Sequence, residues 1–199
     1  LSAGRIDWVW AWAYLGAGIV ILLVNAFLMP RELIAERGQP KENVKGWDKV
    51  ITWLTLVPTL GLLLTAGLDE RYEWSTPFGI SVNLFGLTLM LLGNGLVTWA
   101  MVSNKFFSTV VRIQTDRGHQ VASAGPYHYV RHPGYVGFIL TNLAAPLILD
   151  SPWAMIFAVI IICLFIVRTA LEDRTLQNEL VGYKEYAAQV RYRLLPGVW

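Results

Sequence analysis

Five long apolar runs dominate the chain and alternate with polar stretches. They cover residues 8–29, 50–68, 78–102, 134–149 and 153–167. A helix needs about 20 apolar residues to cross the hydrocarbon core of a bilayer, and the first three runs meet that length. Because lipid offers no hydrogen-bond partners to the backbone, helices are the expected spanning elements. The pattern predicts an all-α integral membrane protein with five transmembrane helices, forming a single transmembrane domain over residues 1–199.

The last two apolar runs are shorter and lie close together in the sequence. Only Asp150, Ser151 and Pro152 separate them, and this triplet is a turn signal. We therefore expect a helical hairpin whose cytoplasmic ends extend into polar sequence. The first run is too long for the apolar part of a cleavable signal peptide and lacks a small-residue cleavage site, so we expect no such peptide.

Lys and Arg are distributed unevenly among the polar stretches. Fourteen of the sixteen lie in 30–49, 103–133 and 168–199, and only Arg5 and Arg71 lie on the opposite side. Cytoplasmic loops of membrane proteins are enriched in these residues. The distribution predicts an outside N-terminus, a cytoplasmic C-terminus and two cytoplasmic polar segments. Interfacial aromatics are expected near the outer ends of the runs, at Trp8, Trp10, Trp12, Trp74 and Trp153.

Composition supports this class of protein. The chain is 55% hydrophobic and only 15% charged, whereas a soluble domain has roughly 25% charged residues. No basic stripe with interleaved aromatics accompanies the net charge of +2, so we expect no nucleic-acid partner. The one cysteine, Cys163, lies inside an apolar run, which excludes a disulfide framework. We interpret Cys163 as a small packing residue.

A polar cluster lies at the start of the fourth apolar run, within the stretch GPYHYVRHPGYVGFIL. Pro133 suits the first turn of a helix, where its missing N–H is no loss. Arg131 and His132 then lie beside the positive end of a helix dipole, which favours an anion. Gly134 and Gly137 permit another helix or a ligand to approach the backbone closely.

A second set of polar residues follows the fifth apolar run. Arg168 and Glu172 are four residues apart and share one face of a helix. Arg168 has two interpretations at this point: an interfacial arginine that extends its charge toward water, or a residue that contacts a ligand. Glu172 in turn is either a ligand contact or simply the ion-pair partner of Arg168.

Other motifs carry little chemistry. His119 and His132 lack further ligands at metal-binding spacing, and we interpret His128 as a surface residue, so no metal site is predicted. Gly93 and Gly95 lie in an apolar run without a preceding strand, which favours close helix packing over nucleotide binding. No serine-hydrolase or P-loop motif occurs. The residues alone are compatible with a ligand-binding membrane enzyme, a channel or an assembly protein.

The last half of the chain, from Gln114 onward, resembles a known family. The motifs are GHQV at 118–121, GPY at 125–127, RHPGYVG at 131–137, ED at 172–173 with Leu176, Tyr183-x-x-Tyr186, and Leu195-Pro196. Together they resemble the isoprenylcysteine carboxyl methyltransferases, and membrane methyltransferases acting on phospholipids share part of the pattern. The family usually has two adjacent glutamates where this chain has Glu172 and Asp173, which keeps the charge.

The resemblance implies methyl transfer from S-adenosylmethionine, with S-adenosylhomocysteine as product, to the carboxylate of a lipidic acceptor, in the first place a C-terminal isoprenylcysteine. Such an enzyme is a protein-S-isoprenylcysteine O-methyltransferase. It also implies that segments 103–135 and 168–199 bind the cofactor and that Arg168 contacts the acceptor. The implied cofactor contacts are Gln114, His119, Gln120, Val121, Ala122, Tyr127, His132, Pro133, Gly134, Tyr135 and Glu172.

Three alternatives remain at this point. A phospholipid N-methyltransferase would use an amine acceptor, and a cationic Arg168 would hinder it. A sterol-reductase-like enzyme using NADPH is suggested by a similar Arg-His-Pro-x-Tyr-x-Gly stretch, and a non-enzymatic membrane scaffold would bind no ligand. The expected partners are membrane lipids and a prenylated or other lipid substrate that enters from the bilayer. The sequence does not specify an oligomeric state.

Overall fold

The computed structural model of the protein describes residues 2–37 and 41–199, apart from the side chain of Glu32. All regular elements in these residues are helical, which confirms the predicted all-α class for this part of the chain. The helices are α1 (Val9–Leu28), α2 (Arg31–Arg37), α3 (Gly46–Tyr72), α4 (Ile80–Ser103), α5 (Pro133–Ile148), α6 (Pro152–Glu179) and α7 (Tyr183–Gln189), with 3-10 turns at Thr115–Arg117 and Gly125–His128. Helix α3 packs against α6, α6 against α5, α5 against α4, and α1 against α4 and α5.

Four of these helices, α1, α3, α4 and α6, are long and apolar enough to cross a membrane. The fourth predicted span corresponds to α5, whose 16 residues reach only about 24 Å at about 1.5 Å per residue. Large apolar side chains such as Phe27 and Trp53 are 88% and 71% exposed, as expected on surfaces that face lipid. The protein is therefore an integral membrane protein. Cys163 is exposed on α6, so its predicted role as a packing residue is wrong.

Helices α4 and α5 approach each other at glycines. A Cβ added to Gly93 would lie 2.7 Å from the carbonyl oxygen of Gly137, and a Cβ on Gly137 would collide with the carbonyl oxygen of Gly93. The backbones thus touch directly, as small residues allow in membrane helix pairs. The predicted packing role is correct for Gly93 and wrong for Gly95, where an added Cβ would meet no other part of the protein within 4 Å.

A three-residue turn joins α5 to α6. Asp150 adopts the left-handed conformation (φ 56°), and its carboxylate accepts a hydrogen bond from the backbone N–H of Phe78 at 2.9 Å. Ser151 caps α6 by accepting from the N–H of Ala154 at 3.2 Å. Helix α6 continues well past the apolar run into polar sequence, as expected. The same extension was predicted for the cytoplasmic end of α5, but this helix begins at Pro133, directly before its apolar run.

Candidate active site

A cavity of ≈ 410 Å³ lies among the C-terminal end of α4, the N-terminal end of α5 and the C-terminal half of α6. Its volume is within the range of roughly 300–1,000 Å³ that small-molecule sites occupy. The predicted site residues that line it are Gln114, His119, Gln120, Val121, Ala122, Tyr127, His132, Gly134, Tyr135, Arg168 and Glu172. Pro133 is the exception, because it is fully buried as the first residue of α5.

Gln114 orders the loop that follows α4. Its side-chain amide donates to the carbonyl of Phe106 at 2.6 Å, and its amide oxygen accepts from Arg117 at 2.7 Å. The side chain is almost fully buried. Both ends of the amide are therefore engaged by the protein, and Gln114 fixes the shape of this part of the cavity wall.

His119 is held in the neutral form. Burial, together with the positive charges of Arg112 and Arg117, lowers its pKa to about 4. The backbone N–H of Gln114 donates to Nδ1 of the ring at 3.3 Å, so this nitrogen is an acceptor and the proton belongs on Nε2. The ring lies 4.7 Å from that of Phe106. His119 can thus present one N–H without carrying a positive charge.

Tyr127 joins the 3-10 turn at Gly125–His128 to its neighbours. Its hydroxyl accepts from the side-chain amide of Asn104 at 3.2 Å, and its carbonyl accepts from the hydroxyl of Tyr186 at 2.7 Å. Burial raises the pKa of Tyr127, so its hydroxyl keeps its proton at physiological pH. These contacts bring α7 over one side of the cavity.

Glu172 bonds to Tyr135 instead of Arg168. The hydroxyl of Tyr135 donates to Oε2 of Glu172 in a short hydrogen bond. Among the described residues no donor contacts Oε1, and the half-buried Glu172 lines the cavity. One carboxylate oxygen is therefore fixed by the protein and the other is available to a ligand. The alternative that Glu172 serves as the partner of Arg168 is not what the geometry shows.

Arg168 is bound by a residue that the sequence analysis did not single out. Its Nε donates to Oδ1 of Asp48 at 2.8 Å, and Nη2 donates to the carbonyl of Thr109 at 2.9 Å. The arginine side chain is only 13% exposed, so it does not extend into water as an interfacial arginine would. Asp48 is a lone acid in the first turn of α3, and no motif or spacing connects it to a partner 120 positions away.

A second cavity, also of ≈ 410 Å³, lies between α3 and α6. Its walls include the apolar and threonine side chains of α3, among them Trp53 and Leu56. Three residues line both cavities: Thr109, Phe165 and Arg168. Arg168 therefore lies where a cavity with many polar and charged side chains in its wall meets a largely apolar one.

Asp173 is a fully buried carboxylate between α6 and the C-terminal tail. Arg131 makes two bonds to it, at 2.7 Å and 2.9 Å, and Arg193 makes a third at 2.9 Å. Asp173 is not part of the cavity wall. Asp173, which stands where the family usually has the second of two glutamates, is therefore part of an internal ion pair.

His132 faces the same carboxylate. Its Nε2 is 3.3 Å from Oδ1 of Asp173 and 3.4 Å from the hydroxyl of Tyr183, which itself donates to Asp173 at 3.1 Å. These contacts hold the ring at the edge of the cavity, next to Gly134 at the start of α5. Among the described residues no group of three or more His, Cys, Asp or Glu could hold a metal ion.

The chain is similar to proteins of known class. The model of the isoprenylcysteine carboxyl methyltransferase (ICMT) family matches residues 86–178, just under half of the chain. Protein-S-isoprenylcysteine O-methyltransferase B of Arabidopsis thaliana is 31% identical over 113 residues, which are 55% of this chain and 57% of that protein. Protein-S-isoprenylcysteine O-methyltransferase A of the same plant is 30% identical over 133 residues, or 65% and 63%. The predicted resemblance to the ICMT family is confirmed.

A solved structure shows that the fold is shared. The eukaryotic intramembrane Ras methyltransferase ICMT aligns with 72% of this chain and 52% of its own, with a TM-score of 0.58 and 20% identity. The chain spans less than two thirds of the length of these two plant relatives. The family match covers most of α4, the loop after it, α5 and nearly all of α6. Asp48, α7 and the C-terminal tail lie outside the ICMT family match.

Proposed function

We propose that this protein is a membrane O-methyltransferase that transfers a methyl group from S-adenosylmethionine to the carboxylate of a lipidic acceptor, in the first place a C-terminal isoprenylcysteine. The observation that carries the proposal is the position of Arg168, shared by a cavity with many polar and charged side chains in its wall and a second, largely apolar cavity. A water-soluble methyl donor and a hydrophobic acceptor need such a boundary in order to meet. The names of the similar proteins support the same chemistry.

The residues around the first cavity fit S-adenosylmethionine, which supplies an electrophilic methyl group when bound. Glu172 has one carboxylate oxygen without a hydrogen-bond partner in the described part of the chain, suited to the ammonium or to ribose hydroxyls. His119 offers an N–H, and His132 stands with Gly134 and Tyr135 at the start of α5. We assign cofactor binding to segments 103–135 and 168–199, with Gln114 and Pro133 acting through the shape of the wall.

An acceptor carboxylate needs no general base, because it is already ionised near neutral pH. One of its oxygens gives a lone pair to the methyl carbon as the carbon–sulfur bond breaks, so an ester and S-adenosylhomocysteine form without proton transfer. The task of Arg168 is to hold the carboxylate in line. Among the described residues no acceptor bonds to its Nη1, which leaves that group for the acceptor carboxylate. Positioning of this kind supplies roughly 7–11 kcal/mol of a reaction barrier.

The hydrophobic part of the acceptor fits the second cavity, whose walls come from α3 and α6. We propose that the chain of the acceptor enters from the bilayer between these helices, with its carboxylate directed at Arg168. The corresponding topology is one domain with five crossings, in which α5 is the short one. The N-terminus is outside, and both cofactor-binding segments are cytoplasmic.

A radiomethyl transfer assay with a panel of acceptors tests the proposal. Purified protein in detergent is given tritiated S-adenosylmethionine with N-acetyl-farnesylcysteine, with its methyl ester, or with phosphatidylethanolamine. We expect base-labile label on the free acid alone, lost in Arg168→Ala. Label on the amine lipid, with activity kept or raised in Arg168→Ala, would indicate the N-methyltransferase. A change in nicotinamide absorbance with a sterol substrate, without methyl transfer, would indicate the reductase.

A further inference from the structure

Asp48 is a fully buried acid in the first turn of α3 that makes two strong hydrogen bonds. Oδ1 accepts from Nε of Arg168 at 2.8 Å, and Oδ2 accepts from the backbone N–H of Val111 at 2.8 Å. Neither bond could be inferred from the family match, because Asp48 lies outside residues 86–178. One carboxylate thus connects α3, α6 and the strap, which we define as residues 109–111.

The guanidinium of Arg168 is held on several sides. In addition to Asp48, the carbonyl of Thr109 accepts from Nη2 at 2.9 Å. The guanidinium carbon lies 5.5 Å from the centre of the Tyr135 ring, within the distance of a cation–π contact. A free arginine side chain has many rotamers, and these contacts select one. The group that they leave without a hydrogen bond among the described residues is Nη1, and Arg168 lines both cavities.

We propose that Asp48 is a positioning residue for methyl transfer: it aims Arg168 at the acceptor carboxylate and ties the arginine to the strap. The inference rests on the proposed function and names a residue that the ICMT resemblance did not supply. Asp48 also offsets part of the charge of Arg168. An acceptor carboxylate beside this ion pair is held by a directed hydrogen bond. Its lone pairs stay more available for attack on the methyl carbon than they would beside a buried arginine without a counter-ion.

The test measures how strongly the protein prefers a charged acceptor to an uncharged one. The full chain in detergent is saturated with S-adenosylhomocysteine, so no methyl transfer occurs, and binding of N-acetyl-farnesylcysteine and of its methyl ester is compared. The two ligands differ only at the carboxylate. Their affinity ratio therefore reports on the arginine, whereas general destabilisation lowers both affinities together. The variants are Asp48→Asn, Arg168→Ala and the double variant.

Asp69→Asn is the matched control. Asp69 is also a buried carboxylate on α3, but it lies toward the opposite end of the helix and accepts from Ser75 and Ser151. We expect Asp69→Asn to leave the acid-to-ester preference unchanged. Asp48→Asn and Arg168→Ala should each reduce that preference about tenfold. The double variant should lose no more than either single one, because both remove the same directed contact.

Two results overturn the inference. In the first, Asp48→Asn keeps the acid-to-ester preference that Arg168→Ala loses. In the second, the double variant loses as much of that preference as the two single variants lose together. If Asp48→Asn no longer binds S-adenosylhomocysteine, Asp48→Glu replaces it. The longer acid keeps the charge but displaces the guanidinium, so a full wild-type preference in Asp48→Glu also overturns the inference.

Wild-type protein is assayed for methyl transfer to the acid in parallel. Absence of transfer there overturns the proposed function, which separates the two failures.

Discussion

Arg131 and Asp173 form a buried, two-bonded ion pair that joins the entrance of α5 to α6. The two bonds measure 2.7 Å and 2.9 Å. Nη1 of Arg131 also donates to the carbonyls of Val190 and Arg191 at 2.8 Å each. The same ion pair therefore fastens the C-terminal tail to the region of the cavity. A buried charge without its partner is strongly destabilising, whereas an intact pair is not by itself evidence of high stability.

Removing the charge of Asp173 should destabilise the protein. We expect Asp173→Asn to cost about 3–5 kcal/mol of unfolding free energy, because the buried guanidinium of Arg131 loses its counter-ion. Arg193→Ala is the matched comparison. Arg193 bonds to the same carboxylate, but its side chain is 31% exposed, so a smaller effect is expected. Thermal unfolding in detergent measures both variants, and equal midpoints for Asp173→Asn and wild type would contradict this reading of the ion pair.

Glu172 should control cofactor affinity. One oxygen of its carboxylate is held by Tyr135, the other accepts no hydrogen bond from the described residues, and Glu172 lines the cavity. Losing a charge-assisted hydrogen bond costs about 1.5–3 kcal/mol, so Glu172→Gln should weaken S-adenosylhomocysteine binding by roughly tenfold to a hundredfold in calorimetry. Tyr135→Phe removes only the group that orients the carboxylate and should have a smaller effect. Unchanged affinity in Glu172→Gln would remove this residue from the cofactor site.

His119 should make stability depend on pH in the acidic range. Burial lowers its pKa in the folded protein to about 4, whereas an unfolded chain has a histidine pKa of about 6.5. Between these values the unfolded state binds more protons, so stability falls as the pH falls from about 6.5 to about 4. His119→Asn keeps an acceptor for the backbone of Gln114 but cannot titrate there. The unfolding midpoint of this variant should decline less over that window than the midpoint of wild type; identical profiles would show that His119 is not the group responsible.

The apolar runs predicted the helices well because membrane burial imposes a length and a composition on each one. The ends were less predictable. Helix α6 continues to Glu179 because its polar half packs against α7 and the tail, contacts that hydropathy does not encode. The short helices α2 and α7 lie in polar stretches and have too few residues for a periodic signal. For α2, Leu33 is fully buried against Val97 and Met101, a contact between distant parts of the chain.

The candidate site was predictable where the residues form motifs and unpredictable where a single residue acts through a distant partner. The predicted site residues, except Pro133, line one cavity. Asp48 lies among ordinary polar residues ahead of an apolar run, and only the packing of α3 on α6 brings it to Arg168. The roles of Gln114 and Asp173 were also hidden, since motif matching does not distinguish a side chain that meets a ligand from one that bonds within the protein.

The contact between α4 and α5 should tolerate no larger side chain at Gly137. A Cβ there meets the backbone carbonyl of Gly93, which cannot move without shifting the whole helix. Overpacking of this kind typically costs about 1–3 kcal/mol, so Gly137→Ala should lower the unfolding midpoint. Gly95→Ala, on the same helix as Gly93 but with open space around it, is the control and should leave the midpoint unchanged. Equal tolerance at both positions would mean that the two backbones do not touch.

The central claim is that methyl donor and lipidic carboxylate meet at Arg168, between the cavity that Glu172 lines and the cavity formed by α3 and α6. The most direct measurement is an experimental structure with S-adenosylhomocysteine and N-acetyl-farnesylcysteine bound together. We predict that an acceptor oxygen contacts Arg168 and faces the sulfur with room for a methyl group about 3 Å from that oxygen. A cofactor bound away from Glu172, or a carboxylate that does not approach Arg168, would contradict the claim.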